Sequence, residues 1–202
     1  NVGFGLMVML LSICLGALYM INNIAHQALT LQLRRRLGQC FALFVPILLI
    51  ELIALFTMDG FAVDEAGVVS MQAGKYLHNL LQMPVVAAMF AIGAILLLLG
   101  ILLTLLKKQF NKGIWLAAPG TVLVVISLFL IAGYNNTAYY PSTADIQSSL
   151  TLSNSCSSEF TLRAMAIVSL IIPFVVAYIA YFWRKMDTPS LTKEELKHSE
   201  RY

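Results

Sequence analysis

Long apolar runs separated by short polar segments dominate this chain. Five of the runs are candidate membrane spans, at residues 3–25, 37–58, 84–106, 114–134 and 162–183. Each holds about 20 to 23 residues and would reach about 30 to 35 Å as an α-helix, enough to cross a bilayer core of roughly 30 Å. The pattern predicts an all-α polytopic membrane protein, with a membrane domain over residues 1–186 and a tail over 187–202.

The composition agrees with this prediction. Of the 202 residues, 59% are hydrophobic and only 11% are charged, whereas soluble domains carry about 25% charged residues. A soluble domain is therefore excluded. The chain begins at Asn1 without an initiator Met, and no basic segment precedes the first apolar run. We therefore expect a cut or incomplete N-terminus rather than a cleavable signal peptide.

The basic residues predict the orientation. They cluster after the first, third and fifth spans, which leaves only Lys75 and Arg163 on the other side of the membrane. Cytoplasmic loops of membrane proteins are enriched in Lys and Arg, so the N-terminus is expected outside and the C-terminus in the cytoplasm. The charged, helix-prone tail at 187–202 is then a solvated cytoplasmic segment.

Two predicted external connections, at about 59–83 and 135–161, are longer than ordinary loops. Connections of this length are usually functional or packed against another part of the protein. The second contains Asn135-Asn136-Thr137, which matches a weak glycosylation pattern. Aromatic residues that follow it also fit an interfacial belt.

Glu51 is the only acidic residue well inside a predicted span, and Pro46 precedes it in the same run. A charged side chain at the centre of a bilayer costs about 2.5 to 3.5 kcal/mol on insertion scales, so Glu51 should face protein or water. Two interpretations stay open. Glu51 relays protons, or it is a structural carboxyl that is hydrogen-bonded across a helix contact.

The sequence offers no convincing ligand for a haem or a metal ion. His26 and His78 fall near span ends rather than at mid-membrane, and His198 lies in the tail. The three cysteines form no CxxC pair. Known catalytic and nucleotide-binding fingerprints do not occur, and no nucleic-acid partner is expected.

Small residues on two spans predict close helix packing. Gly93 and Gly100 lie seven residues apart on the third span, and Ser12 and Gly16 form a small-xxx-small pair on the first. A groove for a lipid or quinone tail is the alternative at the third span. Pro119 and Pro173 predict kinks in the fourth and fifth spans.

A set of segments carries a family resemblance: residues 16–24, 59–64, 75–77, 82–86 and 113–115, and most strongly 132–162, which includes NNTAYYPS and QSSLT. Together they resemble subunit II of the cytochrome bd quinol oxidases, in the form found in the Bacteroides group. The family's subunit is nearly twice as long, and the resemblance falls on its C-terminal half. It implies a four-helix transmembrane bundle plus one additional transmembrane helix.

The resemblance also implies a role and a location. The complex oxidises quinol and reduces dioxygen to water in the bacterial inner membrane, and subunit I carries its b-type and d-type haems. This chain would bind no haem itself. It would be a structural partner of subunit I among membrane lipids, lining routes for oxygen or protons or holding a quinone as a lipid. A small transporter or lipid-handling protein, with Glu51 as its coupling carboxylate, is the competing interpretation.

Overall fold

Helices make up most of the protein in the computed structural model, which describes residues 2–107 and 109–186. The elements are α1 (Val2–Asn23), α2 (Gln27–Thr57), β1 (Gly60–Val63), β2 (Val69–Gln72), α3 (Lys75–Gln82), α4 (Pro84–Leu106), α5 (Ile114–Gly133), a 3₁₀ turn (Ile146–Ser148), α6 (Leu152–Ser155), α7 (Glu159–Ser169) and α8 (Ile172–Met186). The predicted tail at 187–202 lies outside the described residues.

Five helical segments of the described chain are long and apolar enough to cross a membrane, as predicted. They are α1, α2, α4, α5 and the combined segment Glu159–Met186. The all-α, five-span prediction is therefore confirmed. Satisfying every backbone N–H and C=O within one segment is what makes the helix the stable form in hydrocarbon.

The second helix extends well beyond the predicted second span at 37–58. The helix α2 begins at Gln27, ten residues before the predicted apolar run, and so includes Arg34, Arg35 and Arg36. Arginine is a good helix former, so the helix continues past the apolar segment. His26 caps its first turn, because the Nδ1 atom accepts a hydrogen bond from the Leu29 N–H at 3.3 Å.

Helices α1, α2, α4 and α5 pack against one another and form a small apolar core. Leu18 on α1, Leu37 on α2, Ile101 on α4 and Ala117 on α5 are fully buried in it. A second cluster joins Met7 and other α1 residues to α2 near its middle. We call these four helices the bundle.

Glycines let α4 and α5 approach until their backbones touch. A Cβ atom at Gly93 would lie 2.9 Å from the Gly120 carbonyl oxygen, and one at Gly100 would lie 2.6 Å from that of Gly113. Helix α5 therefore fills the space beside Gly93 and Gly100, where a tail groove was the alternative. By contrast, a Cβ atom at Gly16 on α1 would meet nothing within 4 Å, so no helix of the described chain packs closely against α1 at Gly16, although the small-xxx-small pair predicted such packing.

The fifth span is divided in two and stands apart from the bundle. Helix α7 ends at Ser169 and α8 begins at Ile172, with Pro173 in its first turn. Proline lacks an N–H and its ring clashes with the carbonyl four residues earlier, which explains the predicted break. None of its most apolar window is buried within the described protein. At Pro119, in contrast, α5 continues as one helix.

Candidate functional site: Glu51 and the loop layer

The two long connections form a single packed structure, which we call the loop layer (residues 59–83 and 134–158). Within it, β1 and β2 pair as an antiparallel hairpin that the all-α prediction did not include. Asp64 closes the turn: its carbonyl accepts from the Gly67 N–H at 3.1 Å, and its carboxylate accepts from the Val68 N–H at 2.7 Å. Gly67 has φ of +81°, a conformation that glycine adopts without strain.

The second connection adds to this hairpin. The Val63 N–H donates to the Asn136 carbonyl at 2.9 Å, and the Ala138 N–H donates to the Phe61 carbonyl at 2.9 Å. Gln147 bonds both the N–H and the carbonyl of Val69, each at 2.9 Å. The expectation that these long loops are packed is thus met by backbone and side-chain bonds between them.

Asn79 ties the loop layer to the membrane helices. Its buried Nδ2 group donates to the Ile131 carbonyl of α5 at 2.8 Å and to the Thr137 hydroxyl at 2.7 Å. Its Oδ1 atom accepts from Asn135 at 3.1 Å, and the same Asn135 amide donates to Gln82 at 2.7 Å. The amide of the weak glycosylation pattern is therefore part of a structural network.

Lys75 is buried in the loop layer, with only 6% of its surface exposed. It lies under Gly60, where an added Cβ would come within 2.6 Å of the Lys75 Cβ. Desolvation by burial lowers the pKa of Lys75. No salt bridge to Lys75 occurs within the described chain. Arg163, the other basic residue on the predicted outer side, forms a salt bridge with Glu159 at 2.6 Å on exposed α7.

Glu51 lies six residues before the end of α2 and is partly buried. Its carboxylate is next to Gly3 on α1, where any Cβ atom would collide with the Oε1 atom. Neighbouring Ile50 and Ile53 on the same helix are each 64% exposed. Within the described residues no hydrogen bond to the Glu51 carboxylate occurs.

The two histidines of the described chain lie at opposite ends of the bundle. His26 uses its Nδ1 atom to cap α2, next to the α4–α5 turn, whereas His78 is exposed on α3 in the loop layer, at the other end of the bundle. The two imidazoles cannot share one iron. Within residues 2–107 and 109–186 there is also no group of three His, Cys, Asp or Glu side chains that could hold a metal ion.

Five helices long and apolar enough to span a membrane, with a hydrogen-bonded loop layer at one end of the bundle, define a polytopic membrane protein. The family model for cytochrome bd terminal oxidase subunit II matches residues 1–186. The chain belongs to this family.

Curated relatives agree with this membership. The chain is 30% identical over 147 residues to the cytochrome bd-I ubiquinol oxidase subunit 2 of Escherichia coli strain K12. The same identity is found with the proteins of that name from the O6:H1 and O157:H7 strains. The match covers 71% of this chain but only 37% of the relatives' length. The resemblance to cytochrome bd oxidase subunit II that the loop segments indicated is thereby confirmed.

Proposed function

We propose that this chain is part of subunit II of a cytochrome bd-type quinol oxidase and packs beside a haem-bearing subunit I in the bacterial inner membrane. The family match over residues 1–186 carries the proposal. In the complex, quinol is oxidised and dioxygen is reduced to water, with b-type and d-type haems in subunit I. The positions of His26 and His78 at opposite ends of the bundle, where they cannot share one iron, support the assignment of the haems to subunit I.

Affinity purification through a tag on this chain tests the proposal. The protein is extracted from native membranes into lipid nanodiscs, and a reduced-minus-oxidised visible spectrum is recorded. Bands of b-type and d-type haem, together with a second, larger subunit, are expected. A preparation that keeps its native lipid but contains neither haem nor a second subunit would contradict the proposal and favour a transporter or lipid-handling protein.

The predicted orientation completes the proposal, with the N-terminus and the loop layer outside and the α4–α5 turn in the cytoplasm. The supporting observation is the charge distribution. Arg34, Arg35, Arg36, Lys107 and Lys112 all lie at the end of the bundle opposite the loop layer. Lys and Arg concentrate on the cytoplasmic side of membrane proteins.

Glu51 is the residue that we propose to carry protons. Its carboxylate lies within a span and has no hydrogen-bond partner in the described chain, and the face of α2 around it is exposed. Hydrocarbon is an expensive environment for such a group, so this face of α2 should meet water or protein in the assembled complex. There the carboxylate accepts a proton on one oxygen and releases it to a neighbouring water or acceptor.

Replacing Glu51 by Gln keeps the volume of the side chain and removes its titration. In proteoliposomes of the assembled oxidase, Glu51→Gln should slow proton uptake while the haem spectrum stays intact. Glu65→Gln, in the exposed hairpin turn, is the matched control and should behave as the native protein does. Normal uptake in Glu51→Gln would refute the relay, and loss of the haem bands would assign Glu51 a structural role.

A further inference from the structure

Helix α3 has its polar residues buried and its leucines exposed. Lys75 and Asn79, one turn apart on one face, are 6% and 0% exposed. Leu77 and Leu81, which we call the leucine face, lie on the opposite side and are 40% and 71% exposed. A helix on the surface of a protein in water shows the reverse arrangement, with its apolar residues toward the core.

Buried hydrogen bonds fix this orientation of α3. The Asn79 amide donates to the Ile131 carbonyl of α5 at 2.8 Å and to the Thr137 hydroxyl at 2.7 Å, and its oxygen accepts from Asn135 at 3.1 Å. A half-turn of α3 would break all three bonds and leave buried polar groups without partners, which costs free energy. The leucine face therefore stays on the outside of the described chain, and the surroundings of the protein must accommodate it.

Three membrane spans end or begin at the level of α3. The carbonyl that Asn79 binds belongs to the last turn of α5, whose 20 residues are about 30 Å long, the thickness of a bilayer core. At the other end of α3, a Cβ atom at Gly74 would lie 3.7 Å from the carbonyl oxygen of Phe56, in the last turn of α2. Only Met83 separates α3 from the start of α4. Helix α3 therefore crosses the end of the bundle where hydrocarbon gives way to lipid headgroups.

The surface around α3 is typical of that boundary. Val85, in the first turn of α4, is 71% exposed, so exposed apolar side chains continue from α3 into a membrane span. Tyr134, directly after α5, is 56% exposed, and tyrosine is enriched where a membrane meets water. We infer that α3 is an interfacial helix, which lies in the membrane plane with its leucine face among the acyl chains of the adjacent lipid leaflet and its polar face against the bundle.

The inference does not depend on oxidase activity, and spin labelling of the complete protein in native-lipid nanodiscs tests it. Cys40→Ala and Cys156→Ser remove the two thiols that are not fully buried. A nitroxide is then attached through Leu81→Cys or, separately, Leu77→Cys. Electron paramagnetic resonance measures how often the nitroxide collides with oxygen, which dissolves in lipid, and with a water-soluble nickel chelate, which does not.

At both leucine positions the ratio of oxygen to nickel collisions should be several-fold higher than in the control. Glu65→Cys with the same label is that control, because this exposed residue lies in the hairpin turn and its charge keeps the turn in water. The two leucines lie one turn apart on the same face and should give the same result. A label that disturbs the helix at one position therefore does not decide the outcome.

Two outcomes would overturn the inference. A collision ratio at Leu77 and Leu81 equal to that at Glu65 would place α3 in water above the membrane. Low collision rates with both oxygen and the nickel chelate would show that protein from another part of the complex, and not lipid, covers the leucine face.

Discussion

The close contact of α4 and α5 leaves no room at Gly100 for a single added methyl group. In Gly100→Ala, the new Cβ would lie 2.6 Å from the Gly113 carbonyl oxygen, 2.8 Å from the Ala117 nitrogen and 3.0 Å from the Ala117 Cβ. Ordinary carbon–oxygen contacts of this kind are about 3.3 to 3.6 Å. The helices must therefore separate locally by about 0.7 to 1.0 Å.

The size of the effect follows from two opposing contributions. Overpacking of a close-packed contact costs about 1 to 3 kcal/mol, because backbone atoms cannot rotate away as a flexible side chain can. Alanine in place of glycine favours the helix by about 0.5 to 1 kcal/mol. The expected net loss is about 1 to 2 kcal/mol in the free energy of unfolding.

Thermal unfolding of the detergent-purified protein measures this loss, with the folded fraction at each temperature determined by size-exclusion chromatography. A decrease of about 3 to 6 °C in the midpoint is expected for a chain of this size. Gly16→Ala is the matched control, because a Cβ at Gly16 meets nothing within 4 Å and only the helix gain remains. Adding Ala117→Gly to Gly100→Ala should restore only part of the stability, since the two backbone contacts persist. Equal midpoints for Gly100→Ala and Gly16→Ala would refute the close contact.

Three further predictions concern the loop layer and the orientation. Asn79→Leu leaves several buried polar groups without their partner and should destabilise the loop layer by about 2 to 3 kcal/mol, seen as faster amide exchange there, whereas exposed His78→Ala should not. The lowered pKa of Lys75 means that the unfolded chain binds more protons between this pKa and 10.5, so stability should rise with pH across that window. Lys75→Met should remove this rise and stabilise the protein at pH 7, unlike exposed Lys112→Met; an unchanged pH profile would contradict the burial. Exposed Cys156 should react with an impermeant maleimide from the outside of right-side-out vesicles, and reaction only after permeabilisation would reverse the orientation.

Hydropathy along the chain was sufficient to locate the membrane helices. A segment in hydrocarbon must satisfy its own backbone, so about 20 apolar residues specify a spanning helix without information from the rest of the chain. The break before Pro173 was predictable for a similarly local reason. The start of α2 was not, because Arg34 to Arg36 are compatible both with a helix and with a polar connection.

The segments that carry the family resemblance were also readable from sequence, although their structure was not. Asn79 and Thr137 are separated by 58 residues, and no local period indicates that their side chains meet. The hairpin had only a local signal, the Asp64 to Gly67 turn, within a chain dominated by helical runs.

The sequence by itself determined that this is a five-span helical membrane protein with one carboxylate inside a span, because hydrophobic burial in lipid is a property of each segment alone. Only the tertiary structure decided what surrounds each polar group. Glu51 lies beside Gly3, Lys75 is buried under Gly60, and Arg34 reaches the carbonyls at the end of α4, all contacts between residues far apart in the chain. Such contacts depend on how the helices pack, and packing is decided by the shapes of both partners at once.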